Sequence, residues 1–216
     1  MASVKHQSSV RRSRRERSQA TRLRITKAAH ELFCEHGYTG TTMAEIAAAA
    51  GVAVQTVYFA FHTKSEVLSS AYELAVLGEG DPAIPERQDW YVRAVAEPAI
   101  DAAVRLVVDG AGEIVRRVAL LDGVAHTAAE GDPDAAMFLG RSERLRVDGY
   151  RAMIEVLRSK APLRSGLTAE HAADVMLLLV GPAAYRALVH DGRWTHDEWV
   201  AWTATAFLEQ VFDAGG

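Results

Sequence analysis

Apolar residues recur every three to four positions along most of this chain, the spacing that gathers them on one face of a helix. From Ser18 to His36 the stripe is Thr21, Ile25, Ala28, Ala29, Leu32 and Phe33, and Gly37 stands where such a helix stops. Met43, Ile46, Ala47 and Ala50 repeat the spacing over about two turns. Thr42 precedes them with Glu45 three residues on, the pattern of a capping box. Gly51 ends this second helix, because glycine accepts a left-handed backbone without a Cβ clash. Val54, Val57, Tyr58 and Phe61 begin a third helix. Thr63 with Glu66 opens a fourth, which runs through Val67, Leu68, Ala71 and Leu74 to about Gly78.

The prolines and glycines of "GEGDPAIPERQD", residues 78–89, predict a linker before an aromatic restart at Trp90 and Tyr91. A helix over 99–121 carries Ile100, Val104, Val107, Ala111, Ile114, Val118 and Leu121 inward, with Gly110 and Gly112 weakening and bending its middle. The next spans 133–158, with Phe138, Leu145, Gly149, Ala152, Met153 and Val156 inward. Thr168 opens a helix to about His190 that Pro182 should kink. Thr195 with Glu198 caps the last, which carries Trp199, Trp202, Ala206, Phe207 and Val211 on one side. The expected fold class is all-α. It divides into a basic flexible arm over 1–17, a compact helical unit over 18–64 and a helical body over 65–216.

Two helices of about two turns each are marginal alone and persist only when packed on a third. Ala47 and Ala50 carry no bulk to hold the second helix away from the third, and a short glycine turn joins the two, which predicts a helix-turn-helix. Its third helix, starting at Val54, has an outward face of Gln55, Thr56 and Phe59, with His62 just beyond. Amide, hydroxyl and aromatic groups together suit base edges and thymine methyls in a major groove. Lys64, at a helix N-terminus, suits a phosphate. A merely solvated helical corner is the competing reading; the basic flank and the exposed Phe59 favour duplex DNA.

Charge strengthens that picture. Residues 1–65 carry ten Lys or Arg against four acids, whereas the remainder holds 14 basic and 24 acidic side chains, although the whole chain has a formal charge of only -4. A basic head on an acidic body suits a polyanionic partner, and "RRSRRER", residues 11–17, reads either as a solvated tail or as an arm on DNA. The 216 residues, 49% hydrophobic, suffice for an ordinary domain and a small one. The longest apolar run, 175–185, falls short of the roughly 20 residues of a membrane span. The lone Cys34 excludes a disulfide within the chain, and no apolar stretch follows the N-terminal charges, so a cytoplasmic location is expected. Phosphate-loop, HExxH, GxSxG and dinucleotide signatures are missing, which argues against an enzyme and implies no cofactor. "HDGRWTHD", 190–197, makes a metal conceivable, but a polar turn capped by Thr195 accounts for it, so no metal is expected.

The string "RITKAAHELFCEHGYTGTTMAEIAAAAGVAVQTVYFAFHTKSEVL", residues 24–68, resembles the DNA-binding region of the tetracycline-repressor (TetR) family of bacterial transcriptional regulators. Ala28, Ala29, Leu32, Phe33, Gly37, Tyr38, Thr42, Ile46, Ala47, Ala50, Gly51, Val52, Tyr58, Phe61 and Lys64 carry the likeness. It implies that Thr42, Tyr58 and Lys64 touch phosphates while Gln55, Thr56 and Phe59 face bases. Two positions depart from the family pattern: Ala53 replaces the usual Ser or Thr cap of the recognition helix, and Ala60 replaces a usual His or Tyr. The resemblance further implies a homodimer through the last two helices on a palindromic double-stranded operator. It also implies a small-molecule inducer in the body, with candidate contacts Trp90, His126, Met137, Phe138, Arg141, Tyr150, Met153 and Met176. Repression relieved by that inducer is the expected function; an architectural or ligand-independent DNA binder is the alternative.

Overall fold

A computed structural model describes the backbone of residues 2–78, 84 and 87–213, and side chains from residue 15 onward. The side chains of Arg11, Arg12 and Arg14 and most of the linker lie outside the described residues. Ten α-helices and one π-helical turn make up the described chain, and its only extended pairing is an isolated bridge between Leu163 and Phe212. The fold is all-α.

Helix α1 is Ala2–Gly40, longer than the pattern predicts. The arginine-rich segment expected as a flexible arm is the beginning of this helix: neither Gly nor Pro occurs before Gly37, and Arg, Gln, Lys and Glu are good helix formers. Gly37, at φ 71°, breaks the helix near its end. Helices α2 (Met43–Ala49) and α3 (Val54–Ala60) follow, seven residues each, and their axes turn through 106°. The turn between them uses Gly51 at φ 64°. Helix α4 is Lys64–Leu77 and α5 is Asp89–Ala96.

Helix α6 (Ile100–Ala129) runs 30 residues, about 45 Å at 1.5 Å per residue, well past the expected end near residue 121. Its C-terminal half places Val118, Leu121, Ala125 and Ala128 in one hydrophobic core with Ile25, Ala29 and Phe33 of α1, Ile46 of α2, Val57 of α3, and Val67, Leu68 and Ala71 of α4. Its N-terminal half places Val104, Val107, Val108 and Val115 in a second core with α5 and the C-terminal helices. The first core therefore extends beyond residue 64, the boundary expected from sequence, because α4 and α6 supply the floor on which the two short helices rest.

Gly110 and Gly112 prove to be seats for aromatic rings. A Cβ at Gly110 would lie 2.1 Å from Trp90 Cγ, and one at Gly112 would lie 2.9 Å from Trp199 Cζ3. Helix α7 (Pro133–Arg158) turns Ala135, Leu139, Met153, Ile154 and Leu157 inward, so the expected stripe is wrong at Leu145, which is 63% exposed, and at Ala152, which is also exposed. The expected kink at Pro182 is a full break: α8 (Ala169–Leu179) ends at Val180, α9 (Pro182–Tyr185) follows, and Arg186–Asp191 forms a π-helical turn. By length and hydropathy the stretch 169–191 could cross a bilayer, yet Ala172, Ala173, Met176, Val180 and Tyr185 within it are core residues. Helix α10 (His196–Val211) opens with the Thr195–Glu198 capping box and buries Trp199, Phe207 and Val211.

Trp90's seat gives the first prediction. Glycine to alanine in an open helix stabilises by about 1 kcal/mol, whereas overpacking a core costs typically about 1–3 kcal/mol. At Gly110 the clash is with the base of the indole, which has little freedom to yield. Gly110→Ala should therefore lower the thermal midpoint and alter the near-ultraviolet circular dichroism of Trp90, and a raised midpoint would refute the seat.

Candidate nucleic-acid interface

The α2–α3 corner is assembled from caps and buried small side chains. Thr42 caps α2: its hydroxyl accepts from Glu45 N–H at 3.2 Å and donates to Glu45 Oε2 at 2.8 Å, while Thr42 N–H donates to the same oxygen. Ile46 and Ala47 then face inward, and Val57 and Phe61 of the following segment close over the same core. Thr63 caps α4 by accepting from Glu66 N–H. The Glu66 carboxylate, however, accepts from His62 N–H rather than from Thr63, so the second box is only half formed.

Burying Val57 leaves the rest of α3 outside. Phe59 is 88% exposed, Tyr58 is 51% exposed, Gln55 and Val54 are exposed, and Thr56 is half-buried. His62 is exposed beyond the helix end. Thr56, Phe59 and Ala60 face Arg17, Ser18, Thr21 and Arg22 of α1 across an open groove of about 420 Å³. The Arg22 guanidinium donates to Ala60 O and lies 3.8 Å from the centroid of the Phe61 ring, so a charge from α1 holds the C-terminal end of α3. Sequence reasoning missed Arg22, whose partners are 38 or more residues away; its stacking on Phe61 has no local signature.

Two residues expected on phosphates are engaged within the protein. Lys64 Nζ donates to Tyr38 O at 2.7 Å and to Thr41 O at 3.0 Å and lies over the Tyr38 ring. Buried Thr41 adds a hydroxyl that donates to Gly37 O at 2.8 Å. Lys64 thus binds one carbonyl in the last turn of α1 and one just beyond it, and burial pushes its ammonium pKa down while nearby Asp132 pushes it up. The proton Thr42 would give a phosphate goes to Glu45. Tyr38 O–H donates to Asp132 Oδ2 at 2.5 Å, tying α1 to the N-cap of α7. Burial pushes the Asp132 carboxyl up. The Tyr38 hydroxyl and the Ala135 and Asp134 amides outweigh this and hold it below the usual range.

The residues expected around an inducer do not converge on one cavity. Trp90 sits on Gly110, and Tyr150, Met153 and Met176 pack in the second core, where Tyr150 O–H donates to Val180 O at 3.0 Å. Phe138 packs instead on the first core, edge-on to Tyr72. Met137 and Arg141 face solvent, because the inward stripe of α7 lies elsewhere. His126 Nε2 stands 3.6 Å from both Asp122 Oδ2 and Glu143 Oε1. Sequence reasoning passed over Asp122, a buried carboxylate that accepts from Tyr72 O–H at 3.1 Å and from Arg146 at 3.2 Å, with Arg186 3.9 Å away. In the 190–197 loop, His196 meets Tyr185 O–H and Glu113, while His190 meets only the edge of the Tyr185 ring. No group of three or more metal-ligating side chains occurs among the described residues.

A short-helix corner with an exposed aromatic and amide face, carried on a larger all-α body, has the form of a helix-turn-helix. Residues 25–71 match the family described as "Bacterial regulatory proteins, tetR family". The HTH-type transcriptional regulator AcrR of Shigella flexneri is 36% identical over 70 residues, spanning 32% of this chain and only 33% of that protein's length. The HTH-type transcriptional repressor BepR of Brucella suis is 25% identical over 177 residues, covering 80% of this chain and 82% of its own. The solved structure of NalD, the secondary repressor of the MexAB-OprM multidrug efflux pump in Pseudomonas aeruginosa, has a TM-score of 0.67 at 20% identity. That match covers 92% of this chain and 99% of NalD, a likeness of fold. Residues 25–71 are thus similar to the DNA-binding region of tetR-family regulators, and the weaker likeness to BepR and the likeness of fold to NalD extend over most of the chain.

Two outcomes follow from this geometry. Ala53, the N-cap of α3, makes no side-chain cap bond, so Ala53→Ser should stabilise the protein by about 1 kcal/mol in urea unfolding; an unchanged midpoint would show that another group satisfies those amides. Since Asp132 titrates below its ordinary value, its contribution is complete above about pH 3.9 and fades as pH falls through that value and lower. Tyr38→Phe removes the bond. Its stability should fall less steeply than that of the wild type from about pH 5 to 3, the two differing most near neutrality.

Proposed function

We propose that this protein is a homodimeric, sequence-specific repressor whose α3 enters the major groove and whose release from a palindromic operator is driven by a small-molecule inducer. One observation carries the reading: Phe59, Tyr58, Gln55 and Val54 stand exposed on a helix whose other side is fixed by Val57 and Phe61 in the core. An exposed Phe59 has no packing role within the chain, and beside an amide it offers contact to a thymine methyl and to adenine or other base edges. Thr56 and His62 flank this face. Lys64 and Thr42 act on the interface by holding its scaffold, through the bonds already described.

Dimer formation is supported by apolar side chains left outside the C-terminal helices. Trp199 and Phe207, on the apolar side of the last helix, lie in the core of the single chain. The surface that remains holds Leu178 of α8, 70% exposed, and Trp202 of α10, 45% exposed. A second copy seated there would place two α3 helices on one face of a duplex, with half-sites about 34–36 Å apart or a multiple of that. Such a regulator works in the cytoplasm, where its DNA is.

Selection of duplexes from a random pool tests the reading. The wild type should recover inverted repeats and bind them far more tightly than scrambled DNA. A Gln55→Ala, Phe59→Ala double variant should lose roughly 10- to 100-fold of that ratio while keeping its non-specific, salt-dependent binding. Retained discrimination in the double variant would remove α3 as the reading helix. A steep salt slope with no preference among duplexes would favour an architectural binder.

A further inference from the structure

A cleft of about 280 Å³ lies between the DNA-binding unit and the body. Phe33, Cys34, Gly37, Tyr38 and Thr39 of α1 form one wall; Leu120, Gly123, Val124 and Thr127 of α6 form the other. Its residues are distinct from the inducer contacts expected from sequence. We propose that this cleft is the effector site, and that it takes a small, uncharged aromatic molecule bearing a hydroxyl group. The inference rests on the ligand-responsive repressor reading above and names the site and ligand class for it.

The lining selects the ligand. The volume is near the lower end for small-molecule pockets, enough for one or two fused rings and too little for a peptide. The half-buried Tyr38 ring, backed by the buried Phe33 ring with centroids 6.0 Å apart and planes within 24° of each other, stands beside Leu120 and Val124 as an aromatic and apolar surface. None of the lining residues is an acid, lysine or arginine, so the walls themselves offer an ion no direct partner. The two weakly acidic groups, Cys34 and Tyr38, keep their protons at neutral pH: burial pushes the thiol up to about 11 and the phenol upward as well. Thr127 O–H donates to Gly123 O at 3.2 Å, so what its oxygen offers a ligand is an acceptor, matched by a ligand hydroxyl.

Position supplies the coupling. Gly37, the break in α1, is itself part of the wall, and the three residues after it lead directly to Thr41 and to the Thr42 cap of α2. Lys64 grips this segment through Tyr38 O and Thr41 O, and Tyr38 O–H closes the neighbouring side by its bond to Asp132. A ring wedged between α1 and α6 favours arrangements in which these walls stand further apart. The α2–α3 corner is carried with α1. Ligand and DNA then oppose each other to the extent that the ligand prefers the parted arrangement.

The test uses 2-naphthol as probe on the full-length chain, with 2-naphthoate as its charged counterpart and a selected duplex as DNA. Naphthol should bind, seen in its own fluorescence, and should weaken duplex affinity by roughly tenfold. Naphthoate should do neither. Leu120→Trp, at a half-open position that tolerates bulk, should abolish naphthol binding with helical circular dichroism intact, whereas Leu120→Ala should retain it. Failure of the unliganded protein to prefer any duplex would overturn the repressor reading and this inference with it. Selective duplex binding together with absent naphthol binding, binding that persists in Leu120→Trp, equal binding of naphthoate, or naphthol binding without change in duplex affinity would each overturn the cleft alone.

Discussion

The exposed face of α3 depends on the burial of a few side chains from two helices that cannot exist by themselves. Ile46, Ala47, Val57 and Phe61 leave water only because α1, α4 and the C-terminal half of α6 present Ile25, Ala29, Phe33, Leu68 and Leu121 to them. A seven-residue helix in isolation loses more conformational entropy than its few hydrogen bonds return. The reading face therefore has no stability apart from the core beneath it. Any displacement of that core reorients α3 as a unit.

Helix α6 extends this dependence over the whole molecule. One end lies in the core of the DNA-binding unit and the other between Trp90 and Trp199 in the second core, so neither core can shift along it without repacking the other. Polar bonds reinforce the joint where α4 crosses. Asp122 collects Tyr72 from α4 and Arg146 from α7, and Arg117 donates to Ala75 O near the end of α4. A buried carboxylate so surrounded is costly to separate from its partners, which favours discrete arrangements over gradual bending.

Charge near the interface serves two purposes. Lys64, expected on a phosphate, binds Tyr38 O in the last turn of α1 and Thr41 O just beyond it, and Arg22 ends α3 by binding Ala60 O. Both fix the angle at which α3 is presented. Their loss would disturb DNA binding through the scaffold, an effect distinct from that of a lost phosphate contact.

Much was readable from local pattern. The Thr42–Glu45 and Thr195–Glu198 boxes, the glycine turn at Gly51, the limits of α2, α3 and α10 and the outward placing of Gln55 and Phe59 follow from rules acting within one or two turns, and the structure contains them; Thr56, expected beside them, is half-buried, while Val54 and Tyr58 of the expected apolar stripe are exposed because Val57 and Phe61 alone fill the core below. The single chain's pattern could not say which apolar residues remain exposed after packing: Trp199 and Trp202 look alike in sequence, but the first packs on Gly112 and the Tyr185 ring inside the core while the second is 45% exposed. Nor could it place the cleft between α1 and α6, whose walls, residues 33–39 and 120–127, are far apart in the chain, or pair Tyr38 with Asp132 across 94 positions. Sequence determined the helices and their caps because those depend on nearest neighbours along the backbone. Tertiary structure alone decided the partners of Lys64, Arg22 and Asp122, because a long polar side chain bonds to whatever the fold brings within 3 Å and carries no periodicity that reveals it beforehand.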